Sequence, residues 1–554
     1  MAPRIQPWPL YRICLASASN LVDQACTNIF LEHGSYANQD CLDAVSKLQK
    51  HLISFMPLTL FEQLAEDRNS RNRNNNPLFL WSKDPRIKLA LFLHPSMRKF
   101  TVDGKGNELL FLQQGTDDFG NNGTSGLDDF FWCAHIRRLV NLVELNLNLI
   151  ATDEILLLVG NYCSKLEVVN IVSRIKQDYV HQENLTDGLF NNGANAPNTT
   201  PIFPAISLRF CVSDVGLASL VKCKSLRKVV IQNTNNMAMQ NRGITLSGVR
   251  QLVKALPQLE IVAFGSLGKV LKNGFDLDDQ PCLKLAHFYE IDPAFVNVNH
   301  LQKLCPNLTH IVLSVPISMN ENGGVEANVN HCAHILQSLA DSSLPLRSIE
   351  MQHFPYCSAF ENLLKAKGQR LSKLVFRAVN SISSRHLMFI GQHCPALQEL
   401  SLKDLGGDEN AIEESLMTSK EIQSNNYFSQ LQVLNIGGRG WNTKTVLPIL
   451  LMCATQITKC IFLNLNCRIS MDPAWQRIMS GNKLACLTSL NLYSGCHVSM
   501  SLVRKLTMEC PKLTFFSFIQ TDNHESAEVE RLRLEVTRKN YNIKLCCLEV
   551  PYDA

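Results

Sequence analysis

One pattern recurs along most of this chain: an apolar residue, two variable ones, a second apolar residue, one variable, a third apolar. It stands as LVELNL (142–147), LEVVNI (166–171), LRKVVI (226–231), LEIVAF (259–264), LTHIVL (308–313) and LRSIEM (346–351). It continues as LSKLVF (371–376), LQELSL (397–402), LQVLNI (431–436), LTSLNL (487–492) and LTFFSF (513–518), with weaker copies at ITKCIF (457–462) and MRKFTV (97–102). Alternation with period two puts the apolar residues on one face of a short strand and the variable ones on the other. A strand this short does not hold its shape alone. Stacked on its neighbours it becomes part of a parallel sheet with one continuous core. The pattern therefore predicts an α/β repeat solenoid.

The anchors Leu142 and Leu166 lie 24 residues apart, inside the range of about 20–29 residues that defines leucine-rich repeats. A helical pattern precedes each strand, and Pro stops it in HLQKLCPNL (300–308), FIGQHCPAL (389–397) and LTMECPKL (506–513), because the residue before Pro avoids helical geometry. Cys falls three residues before the anchor at Cys163, Cys223, Cys305, Cys394 and Cys510. At a repeating solenoid position these thiols form a ladder, not a metal cluster, and act as small apolar groups where helix meets strand. LRFCVSDVGLASL (208–220) resembles the cysteine-containing subtype of leucine-rich repeat, which is widespread among ubiquitin-ligase substrate receptors. It would supply a strand, Cys211, an N-cap at Ser213, then Asp214, Gly216 and Leu217 opening a helix. Asn- and Gly-rich insertions at 114–129, 181–201 and 319–330 read as surface loops between repeats.

The chain has 554 residues, 45% of them hydrophobic and 18% charged, so it can bury a large core. Its net charge of +4 gives no general pull toward nucleic acid or acidic membranes. The opening MAPRIQPWPLYRICLA lacks the apolar run of a secretory signal, so the 20 cysteines are expected to be reduced thiols of a cytoplasmic or nuclear protein. The most apolar stretch (445–465) changes period midway, and predicts a core helix followed by a strand.

The first 65 residues show no repeat. A polar, basic linker at 66–77 separates them from a solenoid expected over 78–545. Pro9 can open a helix. Leu10, Cys14, Ala18, Leu21 and Ala25 then share one stripe, while Tyr11, Leu15, Val22, Cys26 and Ile29 share a second. A helix apolar on two sides needs two partners. The stretch 41–53 reads as another helix. Pro9, Leu10, Cys14 and Ala18 resemble the elongin BC-box, in which the Leu anchors to elongin C. FMPLTLFEQLA (55–65) looks like the cullin-2 box, with Met56, Pro57 and Leu58 at its start. Short helices ahead of a leucine-rich array resemble the ZYG-type receptors of cullin-2 ubiquitin ligases, although no armadillo-like domain of the kind those receptors carry is expected in this sequence. The resemblance implies elongin B/C and cullin-2 as partners, with Leu10, Cys14, Ala18, Met56, Pro57 and Leu58 as adaptor-binding residues. Two other readings stay open: the helices only cap the solenoid, as every solenoid requires, or MPLTLFEQL begins an F-box for a Skp-type adaptor.

No residues point to an enzyme. GGRG (437–440) lacks the frame of a phosphate loop, and HCAH (331–334) has no second cluster to complete a zinc site and reads as a helix start. No cofactor, metal or catalytic set is expected. Function is expected on the variable strand face, the concave one in a horseshoe array. The outward candidates for binding a protein target are Glu144, Asn146, Asn170, Lys228, His310, Glu350, Glu399 and Asn435. Ser401, Asn491 and Tyr493 join them. Their mixed signs fit a protein better than a phosphate backbone, which demands a run of Lys and Arg.

Overall fold

The alternating apolar residues do form strands. The structure is a computed structural model that describes residues 10–33, 39–55, 90–101, 129–148, 151–173, 175–178, 207–210, 212–233, 243–272, 275, 283–315, 318–319, 325–326, 329–380, 382–404, 426–438, 443–463, 471–493, 498–520, 526–539 and 541–549. It divides into two compact units, Ile13–Phe264 and Gly265–Ala554, the latter taken together with Met1–Arg12.

The first unit opens with helices α1 (Leu10–His33) and α2 (Gln39–Phe55), the latter covering the helix expected at 41–53. Its strands are β1 (Lys99–Thr101), β2 (Glu144–Asn148), β3 (Val168–Ser173), β4 (Lys228–Asn233) and β5 (Ile261–Ala263). Each pairs in parallel with the next, so Glu144, Val168, Lys228 and Ile261 stand side by side. Between strands run α3 (Asp129–Ile136), α4 (Asp153–Tyr162), α5 (Asp214–Leu220) and α6 (Leu246–Ala255). The inward residues Leu145, Leu147, Val169, Val229 and Val262 are buried.

Carboxylates tie these repeats together. Asp153 at the start of α4 accepts from the Ser213 backbone N–H at 2.7 Å and from the Ser213 hydroxyl at 2.5 Å. One repeat on, Asp214 does the same for Thr245, at 2.8 and 2.6 Å. Ser213 and Thr245 meanwhile cap their own helices. Helices α4 and α5 approach so closely that a Cβ on Gly160 would sit 2.1 Å from the Ser219 carbonyl oxygen, so only glycine fits.

The second unit holds β6 (His287–Glu290), β7 (His310–Ser314), β8 (Ser348–Phe354), β9 (Lys373–Ala378), β10 (Glu399–Asp404), β11 (Val433–Gly438), β12 (Lys459–Leu463), β13 (Ser489–Leu492), β14 (Phe515–Gln520) and β15 (Lys544–Glu549), again in parallel sequence order. Its helices are α7 (Leu267–Lys272), α8 (Val298–Leu304), α9 (Val329–Asp341), α10 (Ser358–Lys367), α11 (Ser384–His393), α12 (Thr443–Leu451), α13 (Asp472–Gly481), α14 (Met500–Glu509) and α15 (Ser526–Arg538). The apolar stretch 445–465 is α12 followed by β12, and among the described residues no helix is long and apolar enough to cross a membrane. HCAH lies in the first turns of α9.

The thirteen repeat copies read from the sequence are all strands, and two more join them. Strand β6 escaped notice because its third inward position holds Glu290, in register with Leu313 of β7. Strand β15 escaped because the anchor position two residues before Lys544 is Asn542. One expectation is corrected. Ser207–Phe210 is no repeat strand: it pairs antiparallel with Ile175–Asp178 in a separate two-stranded sheet. Ile175–Asp178 and Ser207–Phe210 pair with each other outside the main sheet before α5 begins. Cys211 lies outside the described residues.

The cysteine ladder is as expected. Cys163, Cys305, Cys394 and Cys510 close their helices as C-caps, and with Cys223 they are buried and in no disulfide. Burial pushes the Cys163 thiol up to about 12 and the Cys223 thiol up to about 11, so neither is a ready nucleophile. No group of His, Cys, Asp and Glu that would hold a metal occurs among the described residues.

Candidate functional site

Two surfaces are candidates for a contact, and α1 is the first. Of its two apolar stripes, the second is covered at Val22 and Cys26, which are buried, and Ile29 is half-buried. The first is open where it is described. Leu21 is 66% exposed, and Ala18 and Ala25 are half-buried. Leu31 is 70% exposed further along the helix, and Phe55, at the end of α2, 77%. Leu10 and Cys14 belong to α1, but their side chains lie outside the described residues, as do Met56, Pro57, Leu58 and the linker 66–77.

Helix α2 is fastened to the start of the array. Its buried stripe is Cys41, Val45 and Gln49. The Gln49 amide donates to the carbonyls of Ala90, Leu91 and Leu93 at 3.2, 2.8 and 3.1 Å, and accepts from Arg138 at 3.3 Å. A buried amide with its donors satisfied fixes position. Helix α2 therefore does the work of an end cap.

The second surface is the exposed strand face. All eight sequence-derived candidates point outward from it, each followed by a buried inward residue. In the first unit, Glu144 pairs with Lys99 at 3.3 Å, and Asn146 stands in register with Asn170. Lys228 is flanked by Val168 and Ile261, and Val230 and Ala263 share that face. The face is thus less polar than the candidates alone suggested.

In the second unit, His310, Glu350 and Glu399 gather around a residue the sequence reading passed over. Lys373 of β9 meets Glu350 at 2.7 Å and Glu399 at 3.4 Å. Burial works against the Lys373 charge, but the Glu350 hydrogen bond and the two carboxylates outweigh it and hold its pKa above the usual lysine value. His310 stacks on His287 with ring centroids 4.0 Å apart and nearly parallel, and burial, with the Lys373 charge, holds it below the ordinary histidine value. Tyr289, one row along, is pushed up by burial and by Glu290. Asn435 is in register with Ser401, and its Oδ1, like that of Asn170, is sealed from water without a hydrogen-bond partner.

The signal for Lys373 was present, since it holds the same place in LSKLVF as Glu399 in LQELSL. His287 and Tyr289 were hidden with β6.

Below this face, Glu290 is fully buried. It accepts from the Gly268 N–H at 2.6 Å and the Asp292 N–H at 3.0 Å, and burial raises its carboxyl to about 7. It fastens the strand end to α7 in place of the apolar residue found in the other repeats.

The class this geometry defines is an α/β leucine-rich repeat solenoid with helices at its N-terminal end and a polar-to-mixed strand face. No protein-family model matches the chain. No curated protein matches it. Among solved structures it is similar to one titled "Crystal structure of Rad7 and Elc1 complex in yeast", at 13% sequence identity and a TM-score of 0.35, with 62% of this chain and 82% of that chain covered.

Proposed function

We propose that this protein is the substrate-recognition subunit of an elongin BC–cullin-2 ubiquitin ligase. Helix α1 docks on elongin C, the segment beginning Met56-Pro57-Leu58 meets the cullin, and the strand face holds the target. The reaction on the target is accelerated by proximity alone, because the receptor fixes a lysine-bearing protein near the charged ubiquitin carrier. The observation that supports this reading best is the asymmetry of α1: Val22 and Cys26 are covered while Leu21, on the stripe shared with Leu10 and Cys14, stands in solvent. An exposed Leu on an apolar helical stripe suits a helix-in-groove contact.

The Gln49 clip favours a second reading, in which the helices only cap a non-enzymatic scaffold. Co-purification separates the two. The full chain is expected to retain elongin B/C, the double variant Leu10→Ala, Cys14→Phe to lose it, and Pro57→Ala with Leu58→Ala to lose cullin while keeping elongin. Recovery of neither adaptor supports the scaffold, and recovery of a Skp-type adaptor instead supports the F-box reading.

A further inference from the structure

The strand face of the second unit treats its cations in two different ways. Lys373, in the row that runs His287, His310, Ser348, Lys373, Glu399, is neutralised twice over by Glu350 and Glu399. Four residues on, the row Gln352, Arg377, Lys403, Gly437 crosses the same strands nearer their C-terminal ends. Arg377 and Lys403 are direct register partners, about 4.8 Å apart as neighbouring strands require. Neither has a carboxylate partner among the described residues, and both carboxylates of the cluster are already taken by Lys373. The Arg377 Nε is sealed from water with no acceptor. Buried polar groups are ordinarily bonded, so an orphan marks a missing partner.

Three neighbours shape this place. His353 sits at a bulge in β8 with φ 63°, where the register slips between Gln352 and Phe354. Its Nδ1 donates to the Val315 carbonyl at 3.1 Å, which leaves Nε2 an acceptor, and that atom is sealed without a partner. Gly437, beside Lys403, brings no side chain, and the row continues to Leu463 of β12. Asn435, two residues earlier on β11, offers the other orphan acceptor, Oδ1.

We propose that this row binds an acidic segment of the target protein, laid across the C-terminal ends of β8–β11 with carboxylate side chains on Arg377 and Lys403. Carboxylate side chains suit this pair of cations, because each can accept from the Arg377 guanidinium or the Lys403 ammonium. The proposal rests on the strand face being the target surface, and it is independent of the adaptor contact of α1.

The test needs no adaptor, so its failure is distinct from a failure of the ligase reading. Fluorescence anisotropy of the full chain is measured with a labelled peptide of alternating Glu and Gly, its Gln counterpart, and a version carrying phosphoserine in place of Glu. The Glu peptide is expected to bind about tenfold more tightly than the Gln peptide. Arg377→Gln and Lys403→Gln are each expected to weaken it by about three- to tenfold, with unchanged thermal melting for the exposed Lys403 variant. Lys459→Gln removes the same charge from the same face at β12 and is expected to leave binding within about twofold. Equal binding of Glu and Gln peptides, no binding of the Glu peptide, equal losses at Lys459 and Lys403, or binding of the phosphoserine peptide alone would each overturn the proposal.

Discussion

The strands and the first helix both carry apolar residues on two-sided elements, yet the structure resolves them differently. On the strands the described inward Leu, Ile, Val and Phe of the repeat are sealed except Phe264, which is half-buried, and the outward side is left to Lys, Glu, Asn, His and scattered Val and Ile. On α1 Val22 and Cys26 of one apolar stripe are sealed, and the other stripe is left open at Leu21. The four most exposed large hydrophobic residues described are Phe55, Leu31, Val215 and Leu21, and three of them lie in the first 55 residues. Single exposed apolar residues are ordinary, whereas neighbouring ones mark contact surfaces. The array's inward apolar residues serve the fold, whereas Leu21 and Leu31 of α1 are left in solvent and are the residues the proposed contact would use.

The comparison breaks most visibly in the array core. Phe376 is fully buried and stacks on Phe360 with centroids 4.3 Å apart. Phe376→Ala is expected to cost about 3–5 kcal/mol in urea unfolding, and a loss below about 1 kcal/mol would mean the repeats are not packed as described. Gln49→Ala is next. It leaves the Ala90, Leu91 and Leu93 carbonyls without their amide donor and should cost about 1–3 kcal/mol. If hydrogen exchange at 90–93 is unchanged in that variant, α2 is not a cap.

A subtler effect comes from Glu290. Its carboxyl is raised from 4.5 to about 7, so the folded protein holds this proton more tightly than the unfolded chain does. Between those two values the native state carries the extra proton, and stability contributed by this group is lost as pH rises from about 4.5 through about 7. Glu290→Gln is expected to flatten that part of the stability profile. An unchanged slope would place the titration elsewhere. The smallest effect is on α1: Leu21→Ser should shift stability by less than about 0.5 kcal/mol, and a larger loss in thermal melting would show that Leu21 is packed after all.

Much of this was legible because repetition averages out local ambiguity. Thirteen strands, the Pro-terminated helices and the buried cysteine ladder follow from alternation and from the fixed offset of Cys to the anchor Leu. Failures came where one residue broke the rule for a local reason. Glu290 takes an apolar slot because backbone N–H groups from Gly268 and Asp292 satisfy it there. Asn542 replaces the anchor Leu of the last strand. The segment 207–210 carries the pattern but follows a long insertion that removes it from the array. Lys373 was passed over because its meaning is relational. Its carboxylates come from repeats on either side, and only stacking brings Glu350 and Glu399 to one amine. For α1, spacing gave two stripes, and only packing could decide which one is covered.

The most direct measurement is hydrogen exchange of the full chain with and without elongin B/C. The account expects added protection concentrated in α1, from Leu10 through Leu31, with α2 and the strands unchanged. Binding that protects the strand face while α1 exchanges as before, or no protection at saturating elongin B/C, would contradict it.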